Sequence, residues 1–324
     1  MRTNVWRNLS RTQFWRSKLF AFVASLLAVT IAIPLIPFHS WAASPATVEF
    51  VPPAWIAEHE DDSNLRILDV RINPLDYISG HVPGAVHIAD NTFRGPNGQL
   101  PVQYWELEKL ESLFQQAGIN DDSQVLVYSD EGNILGATMV AYLLERGGLS
   151  NIAVLDGGLP GYQEAGLPVT KEFPNYELGS FTLNDDPSLR VPLDEVRQIV
   201  LQGNSDITFI DPRPPELFAG ETDVFIRNGH IPGARNIPWP TFTIGEPNRH
   251  QLKPLSEIQA ILDEKGITPD DTIIVTCSTG REATLQYIVL KHLLGYPNVR
   301  VYEGSWTEYS AQPDLPVETG RDVA

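Results

Sequence analysis

The chain has 324 residues, of which 42% are hydrophobic and 20% charged, a composition typical of a folded globular protein rather than a disordered one. Its formal net charge of −18 argues against a general role in nucleic-acid binding, because such proteins present basic surfaces to phosphates. Cys277 is the only cysteine, which excludes an internal disulfide framework. A protein this acidic must bind small anions through local basic groups.

The first 45 residues predict an export signal rather than part of a fold. Basic residues precede an apolar run over 19–38, and residues 40–43 (SWAA) have the small side chains of a signal-peptidase site. We therefore expect cleavage and a location in the periplasm or another extracytoplasmic compartment. The apolar run also approaches the length that spans a bilayer, so an uncleaved membrane anchor over 19–38 is the alternative.

The first half of the remaining chain alternates apolar runs that predict strands with amphipathic patterns that predict helices. In chain order, the predictions are a strand over 66–70, a helix over 104–116, a strand over 124–128, a helix over 134–146 and a strand over 152–155.

The second half alternates in the same way, which predicts an α/β fold with a mainly parallel sheet and helices on both faces in each half. The predictions are a helix over 193–201, a strand over 207–210, a helix over 255–265, a strand over 272–276, a helix over 283–294 and a strand over 299–302. Proline and glycine mark the segment 171–192 as a linker. We therefore predict domains over 46–170 and 193–324.

The two halves also repeat each other in sequence. LDVR at 68–71 recurs as IDPR at 210–213, and GHVPGA at 80–85 recurs as GHIPGA at 229–234. The order of the shared segments is conserved, and a period this long indicates a duplicated domain rather than a solenoid repeat of roughly 20–50 residues.

Cys277 has the surroundings of a nucleophile. It follows the predicted strand 272–276 and opens the loop CSTGRE before a predicted helix. Active sites of parallel sheets lie at the carboxyl ends of strands. Backbone N–H groups, the helix dipole and Arg281 would favour the thiolate there. The structural alternative is a buried cysteine that only fills space.

The two Asp-x-Arg strands, the two GH[V/I]PGA turns and the Cys-x-x-Gly-Arg-Glu loop resemble the tandem-domain rhodaneses, a family of thiosulfate and 3-mercaptopyruvate sulfurtransferases. The resemblance covers about residues 48–318. It implies two rhodanese-like domains, of which the second is catalytic and the first is a silent copy, since Ser129 aligns with Cys277. It further implies transfer of sulfane sulfur from thiosulfate to cyanide or a thiol through a persulfide on Cys277, without a cofactor or metal.

The resemblance also implies a substrate-binding arginine at Arg213, and Arg281 is the cation nearest to Cys277 in sequence. An ion pair with Asp211 is the structural alternative for Arg213, and a solvent-facing charge is the alternative for Arg281. The remaining loop positions are predicted to form an anion nest around the sulfur: Ser278, Thr279, Gly280 and Glu282.

Three other functions stay open or are disfavoured. A 3-mercaptopyruvate sulfurtransferase and a non-enzymatic, exported sulfur-carrier or binding module both remain possible readings of the same loop. A cysteine phosphatase of this fold would need an arginine six positions after the cysteine, where this chain has Ala283.

We expect His81 and His230, which recur in both copies, to be structural. We also expect a monomer whose partners are small-molecule donors and acceptors.

Overall fold

The computed structural model describes residues 47–129, 132–203, 206–245 and 251–321. The predicted export signal and the alternative membrane anchor lie outside these residues. Within them, no helix combines the length and the apolar character needed to cross a membrane. The chain from Ala43 to Ala324 forms one unit, which contains both halves of the sequence repeat.

The first half forms a five-stranded parallel sheet in the order β1-β7-β6-β2-β3, beside a separate antiparallel hairpin of β4 and β5. The strands are β1 (Thr47–Val51), β2 (Leu65–Asp69), β3 (Ala85–His87), β4 (Arg94–Asn97), β5 (Leu100–Tyr104), β6 (Gln124–Tyr128) and β7 (Asn151–Leu155). The helices are α1 (Ala54–His59), α2 (Pro74–Ser79), α3 (Leu107–Gln116), α4 (Leu135–Arg146) and α5 (Gly158–Glu164).

The second half repeats this sheet with four parallel strands in the order β13-β12-β8-β9. The strands are β8 (Ile207–Asp211), β9 (Arg235–Asn236), β10 (Thr243–Ile244), β11 (Gln251–Leu252), β12 (Thr272–Val275) and β13 (Val299–Val301). The helices are α6 (Leu193–Gln202), α7 (Pro215–Phe218), α8 (Leu255–Glu264), α9 (Glu282–Ile288) and α10 (Ser305–Ser310). The place of β1 is taken by a single parallel bridge between Arg190 and Val301.

This architecture confirms the predicted α/β fold class and most of the predicted elements. Two predictions need correction. The predicted helix 104–116 starts later, because the hairpin strand β5 extends to Tyr104 and α3 begins only at Leu107. The predicted helix 283–294 changes after Ile288 into a π-helical turn over Val289–Leu293.

The two halves meet through α4 and α9, the helices that follow equivalent loops in the repeat. Every residue of α4 is buried, which is the pattern of a helix enclosed on all sides. The hydroxyls of Thr138 and Thr284 lie 3.1 Å apart across this interface. Further along it, Lys291 donates to the buried carboxylate of Glu145 at 3.0 Å. The loop that precedes α9 therefore lies where both halves can contact it.

The recurring histidines occupy equivalent structural positions, as expected from their recurrence. The ring of His81 bonds through Nδ1 to the carbonyl of Tyr77 at 2.8 Å and stacks on the ring of Tyr77. The ring of His230 bonds to the carbonyl of Phe218 at 2.8 Å and stacks on that phenyl ring. Both geometries support a role in fixing the turns.

Candidate active site

Cys277 lies two residues beyond the end of β12, at the carboxyl edge of the second sheet, and is fully buried. The loop turns back on the sulfur at Gly280, whose φ of +85° favours glycine. This turn brings the Gly280 N–H to 3.1 Å from Sγ of Cys277, where it donates a hydrogen bond. The predicted curl of the loop around the sulfur is therefore present at this position.

Ser305, at the start of α10, contacts both the backbone and the sulfur of Cys277. The hydroxyl oxygen of Ser305 accepts a hydrogen bond from the backbone N–H of Cys277 at 3.1 Å and lies 3.8 Å from Sγ. The same hydroxyl can donate to the carbonyl of Tyr302 at 2.9 Å. Within the described part of the chain, Ser305 is the non-glycine residue with a positive φ, +52°. Such strain persists only where surrounding contacts enforce it.

The next residues of α10 fix the backbone carbonyls of the loop. The Trp306 N–H donates to the carbonyl of Cys277 at 2.9 Å. Thr307 donates to the carbonyl of Ser278 twice, from its N–H at 3.1 Å and from its hydroxyl at 2.7 Å. These bonds hold the carbonyls of Cys277 and Ser278 against α10.

The first half contacts the loop from the opposite side, through the hairpin β4–β5 and the turn before it. The hydroxyl of Tyr104 donates to the carbonyl of Gly280 at 2.8 Å. Nη1 of Arg94 donates to Oγ1 of Thr279 at 3.2 Å. The cysteine loop is thus clamped between the two halves of the molecule.

Arg281 points toward the first half and is paired there. Its Nε and Nη2 lie 2.8 and 2.6 Å from Oδ2 of Asp90, a carboxylate that is 1% exposed. The solvent-facing alternative is therefore wrong, because the guanidinium makes an ion pair between the halves. Its predicted contact with a substrate stays a prediction.

The electrostatic environment of the thiol differs from the expected one. Burial raises the pKa of Cys277 to about 12, and the carboxylate of Glu282 adds to the rise. The backbone N–H groups of Ala283 and Thr279 and the Ser305 hydroxyl lower the pKa but do not reverse the balance. Dehydration of a thiolate therefore outweighs the stabilisation that the sequence predicts from the loop.

Glu282 also departs from the predicted nest. Its Oε2 accepts the N–H of Ser278 at 3.2 Å, so one of the loop donors is bound to a carboxylate. Glu282 is therefore placed to fix the loop and to oppose negative charge on Cys277. The N–H groups of Gly280 and Thr279 are directed at the sulfur, and the role of the loop as an anion nest stays a prediction.

Arg213 is fully buried beside its own strand. Its Nε and Nη2 bond to the carboxylate of Asp211 at 2.9 and 2.6 Å, and Nη2 also donates to the carbonyl of Gly229 at 2.8 Å. Arg71 makes the same contacts in the first half, with Asp69 and Gly80. This placement favours the structural alternative for Arg213. The contact of Arg213 with a sulfur donor stays a prediction.

A cleft of about 620 Å³ lies between the first-half hairpin and α10. One wall is the tip of the β4–β5 hairpin at 99–101, and another is the segment 224–226, whose Val224 and Ile226 are exposed. The floor includes Thr307, which bonds to the loop at Ser278. The described residues contain no cluster of histidine, cysteine and carboxylate side chains that could hold a metal.

A family model described as the rhodanese-like domain matches residues 52–165 and 193–312, one match in each half. The chain belongs to the rhodanese-like family. A Synechococcus elongatus protein named "Putative thiosulfate sulfurtransferase" is 62% identical over 95% of this chain and 97% of its own length. The 3-mercaptopyruvate sulfurtransferase of Escherichia coli is 32% identical over 84% of this chain and 99% of its own length.

The crystal structure of SseA from Escherichia coli, described as a 3-mercaptopyruvate sulfotransferase with the rhodanese fold, superposes with a TM-score of 0.72. The alignment has 31% sequence identity and covers 80% of this chain and 99% of SseA. The tandem rhodanese architecture predicted from the sequence repeat is thereby confirmed.

Sequence reasoning missed four residues that contact the rhodanese loop: Asp90, Arg94, Tyr104 and Ser305. The first three belong to the other domain, and no local pattern indicates which residues of one domain reach the loop of the other. Ser305 did carry a signal, since YEGS at 302–305 aligns with LDGG at 155–158 and a serine thus replaces a glycine in the copy that carries the cysteine.

Proposed function

We propose that this rhodanese is a sulfurtransferase that moves the sulfane sulfur of thiosulfate to cyanide or a thiol through a persulfide on Cys277. The Cys277 thiolate attacks the outer sulfur of thiosulfate, and the S–S bond of thiosulfate breaks with its electron pair leaving on sulfite. Cyanide or a thiolate then attacks the outer sulfur of the persulfide. That step releases thiocyanate or a new persulfide and restores the thiolate.

The observation that carries the proposal is the hydrogen bond from the Gly280 N–H to Sγ of Cys277 at 3.1 Å in a fully buried loop. A fixed donor aimed at the reacting sulfur stabilises the charge that the thiolate and the persulfide carry. Because burial raises the pKa of Cys277 to about 12, the thiolate is a small fraction of the protein at neutral pH, and the fixed donor favours that fraction. A cysteine that only filled space would need neither the Gly280 N–H aimed at its sulfur nor the strained backbone of Ser305 beside it.

Thiosulfate:cyanide sulfurtransferase activity tests the proposal, with thiocyanate as the product measured. We expect the full chain to gain the mass of one sulfur atom on Cys277 when it is treated with thiosulfate alone. Cys277→Ser should abolish both activities while the circular-dichroism spectrum stays unchanged, because a serine hydroxyl is a far weaker nucleophile at neutral pH. Substantial turnover by folded Cys277→Ser would contradict the mechanism.

The sulfur donor has a second candidate, 3-mercaptopyruvate. The protein from Synechococcus elongatus supports thiosulfate by its name and its 62% identity, and the Escherichia coli relative supports 3-mercaptopyruvate at 32% identity. We propose thiosulfate on that difference. A ratio of kcat/KM that favours 3-mercaptopyruvate would overturn this choice, and uptake of sulfur without turnover would favour the sulfur-carrier alternative.

We also propose that the protein works outside the cytoplasm after cleavage of its N-terminal segment. The support is the sequence alone, with its basic start, its apolar run and its small residues at 40–43. N-terminal sequencing of the native protein tests the proposal. An intact Met1 in the membrane fraction would favour the anchor over 19–38.

A further inference from the structure

The two arginines singled out by sequence are both neutralised by buried carboxylates. Arg281 lies 2.6 Å from Asp90, and Arg213 lies 2.6 Å from Asp211. Each carboxylate offsets part of the positive potential that its guanidinium could present to a doubly charged anion, although Nη1 of Arg213 is buried without a hydrogen-bond partner among the described residues. The donor must nevertheless approach a buried thiol in a protein with a net charge of −18. An additional cation at the cysteine loop would offset the repulsion between the anionic donor and the negatively charged protein.

Arg94 has the position and the chemistry for this role. It opens β4 and pairs across the hairpin with Tyr104, so the two residues reach the cysteine loop side by side. Its Nη1 contacts Oγ1 of Thr279, the residue directly before the Gly280 N–H that binds the sulfur. In the described part of the chain, no carboxylate lies within ion-pair distance of Arg94, whose side chain is only partly buried.

The loop itself has few donors left for the oxygens of a donor molecule. The Gly280 N–H is directed at Sγ, and the Ser278 N–H is bound by the carboxylate of Glu282. A guanidinium offers five N–H donors in a planar fork, and the hydroxyl of Thr279 engages one nitrogen of Arg94. The remaining donors match the tetrahedral oxygens of a sulfonate-like group.

We propose that Arg94, a residue of the catalytically silent domain, binds the anionic oxygens of the sulfur donor at the Cys277 loop. The proposal rests on the sulfurtransferase function proposed above and adds a substrate-binding residue to it. The first domain then supplies a specificity-determining charge across the interface. A donor with a sulfonate or carboxylate group would be selected over a neutral polysulfide.

Steady-state kinetics of the full chain with Arg94→Ala and Arg94→Lys test this assignment. The loss of a charge-assisted hydrogen bond should raise KM for thiosulfate by about 10-fold or more in Arg94→Ala. Arg94→Lys should recover part of the loss. The matched control is Arg321→Ala, which removes an exposed arginine paired with Glu221 at 2.5 Å far along the chain from the loop.

Two further readouts separate donor binding from mere support of the loop. Discharge of a preloaded persulfide by cyanide, and the pH profile of Cys277 alkylation by iodoacetamide, should match wild type in Arg94→Ala. Equal losses in persulfide formation and persulfide discharge, or a shifted alkylation profile, would show that Arg94 only positions Thr279 and would overturn the proposal.

Thiosulfate binding to the Cys277→Ser chain, measured by calorimetry, needs no turnover and therefore tests Arg94 apart from the proposed reaction. We expect the additional Arg94→Ala change to weaken this binding by about 10-fold or more. Unchanged binding would refute the role of Arg94 even if the protein proves to be an active sulfurtransferase. Weakened binding in a protein that fails to transfer sulfur would refute only the proposed function.

Discussion

Gly280→Ala should damage the active site far more than its effect on backbone conformation predicts, and Gly233 provides a matched control. The two glycines have similar φ values, +85° and +77°. An alanine in this region costs about 1 kcal/mol of stability at either position. An added methyl group at Gly233 meets nothing within 4 Å, whereas one at Gly280 would lie 2.8 Å from the carbonyl oxygen of Glu303.

The backbone at position 280 must therefore move, and overpacking of this kind adds about 1–3 kcal/mol. We expect a total loss of about 2–4 kcal/mol for Gly280→Ala and about 1 kcal/mol for Gly233→Ala in urea unfolding. The same movement withdraws the N–H from Sγ of Cys277. Loss of one preorganised donor should lower kcat/KM for thiosulfate by about 10²-fold, against no loss in Gly233→Ala.

The assay is thiosulfate:cyanide turnover under conditions where both variants are more than nine-tenths folded by circular dichroism, a fraction that the expected stabilities allow. If Gly280→Ala keeps the kcat/KM of Gly233→Ala, the N–H at position 280 does not stabilise the reacting sulfur. In that case the hydrogen bond from the Gly280 N–H to Sγ of Cys277 would no longer support the proposed function.

Two more predictions concern charge. Because burial and Glu282 raise the pKa of Cys277 to about 12, the thiolate fraction should grow about tenfold per pH unit, so alkylation of Cys277 should rise from pH 6 to about 10 without a plateau. Glu282→Gln removes a negative charge near the thiol and should raise the alkylation rate at every pH. A plateau in the wild-type alkylation rate near neutral pH would contradict a raised pKa of Cys277. Arg213→Ala and Arg71→Ala should each lower the free energy of unfolding by about 3–5 kcal/mol, because each strands a buried aspartate. A thiosulfate KM raised only in Arg213→Ala would place Arg213 in the donor site instead.

The sequence was sufficient to predict the fold because each of its signals is local or periodic. The short apolar runs at 124–128 and 207–210 predict buried strands, and the structure places β6 and β8 there. The sequence repeat predicted the duplicated domain, and it identified Cys277 and Ser129 as equivalent positions. The hairpin β4–β5 was missed because its short strands carry proline and glycine, which read as a loop.

The electrostatics of the site could not be read from the sequence in the same way. Proximity along the chain suggested that Arg281 supplies its charge to the thiolate and to an anionic substrate, but the domain interface offers it a buried partner in Asp90. The loop and helix start suggested a lowered pKa for Cys277, but the depth of burial reverses the direction. The first outcome depends on a contact between domains and the second on the depth of burial, and both are fixed by packing rather than by motif.

The strained backbone at Ser305 bears on how the two copies diverged. At the equivalent position the first domain has Gly158, with a φ of +55° against +52° for Ser305. The two halves thus share this backbone shape, which glycine adopts at a lower cost than serine. In the second half the hydroxyl at this position accepts a hydrogen bond from the N–H of Cys277, a contact that Gly158 has no side chain to make. The conformational cost of a non-glycine residue is therefore incurred only in the half that carries the cysteine, where the side chain contacts that cysteine.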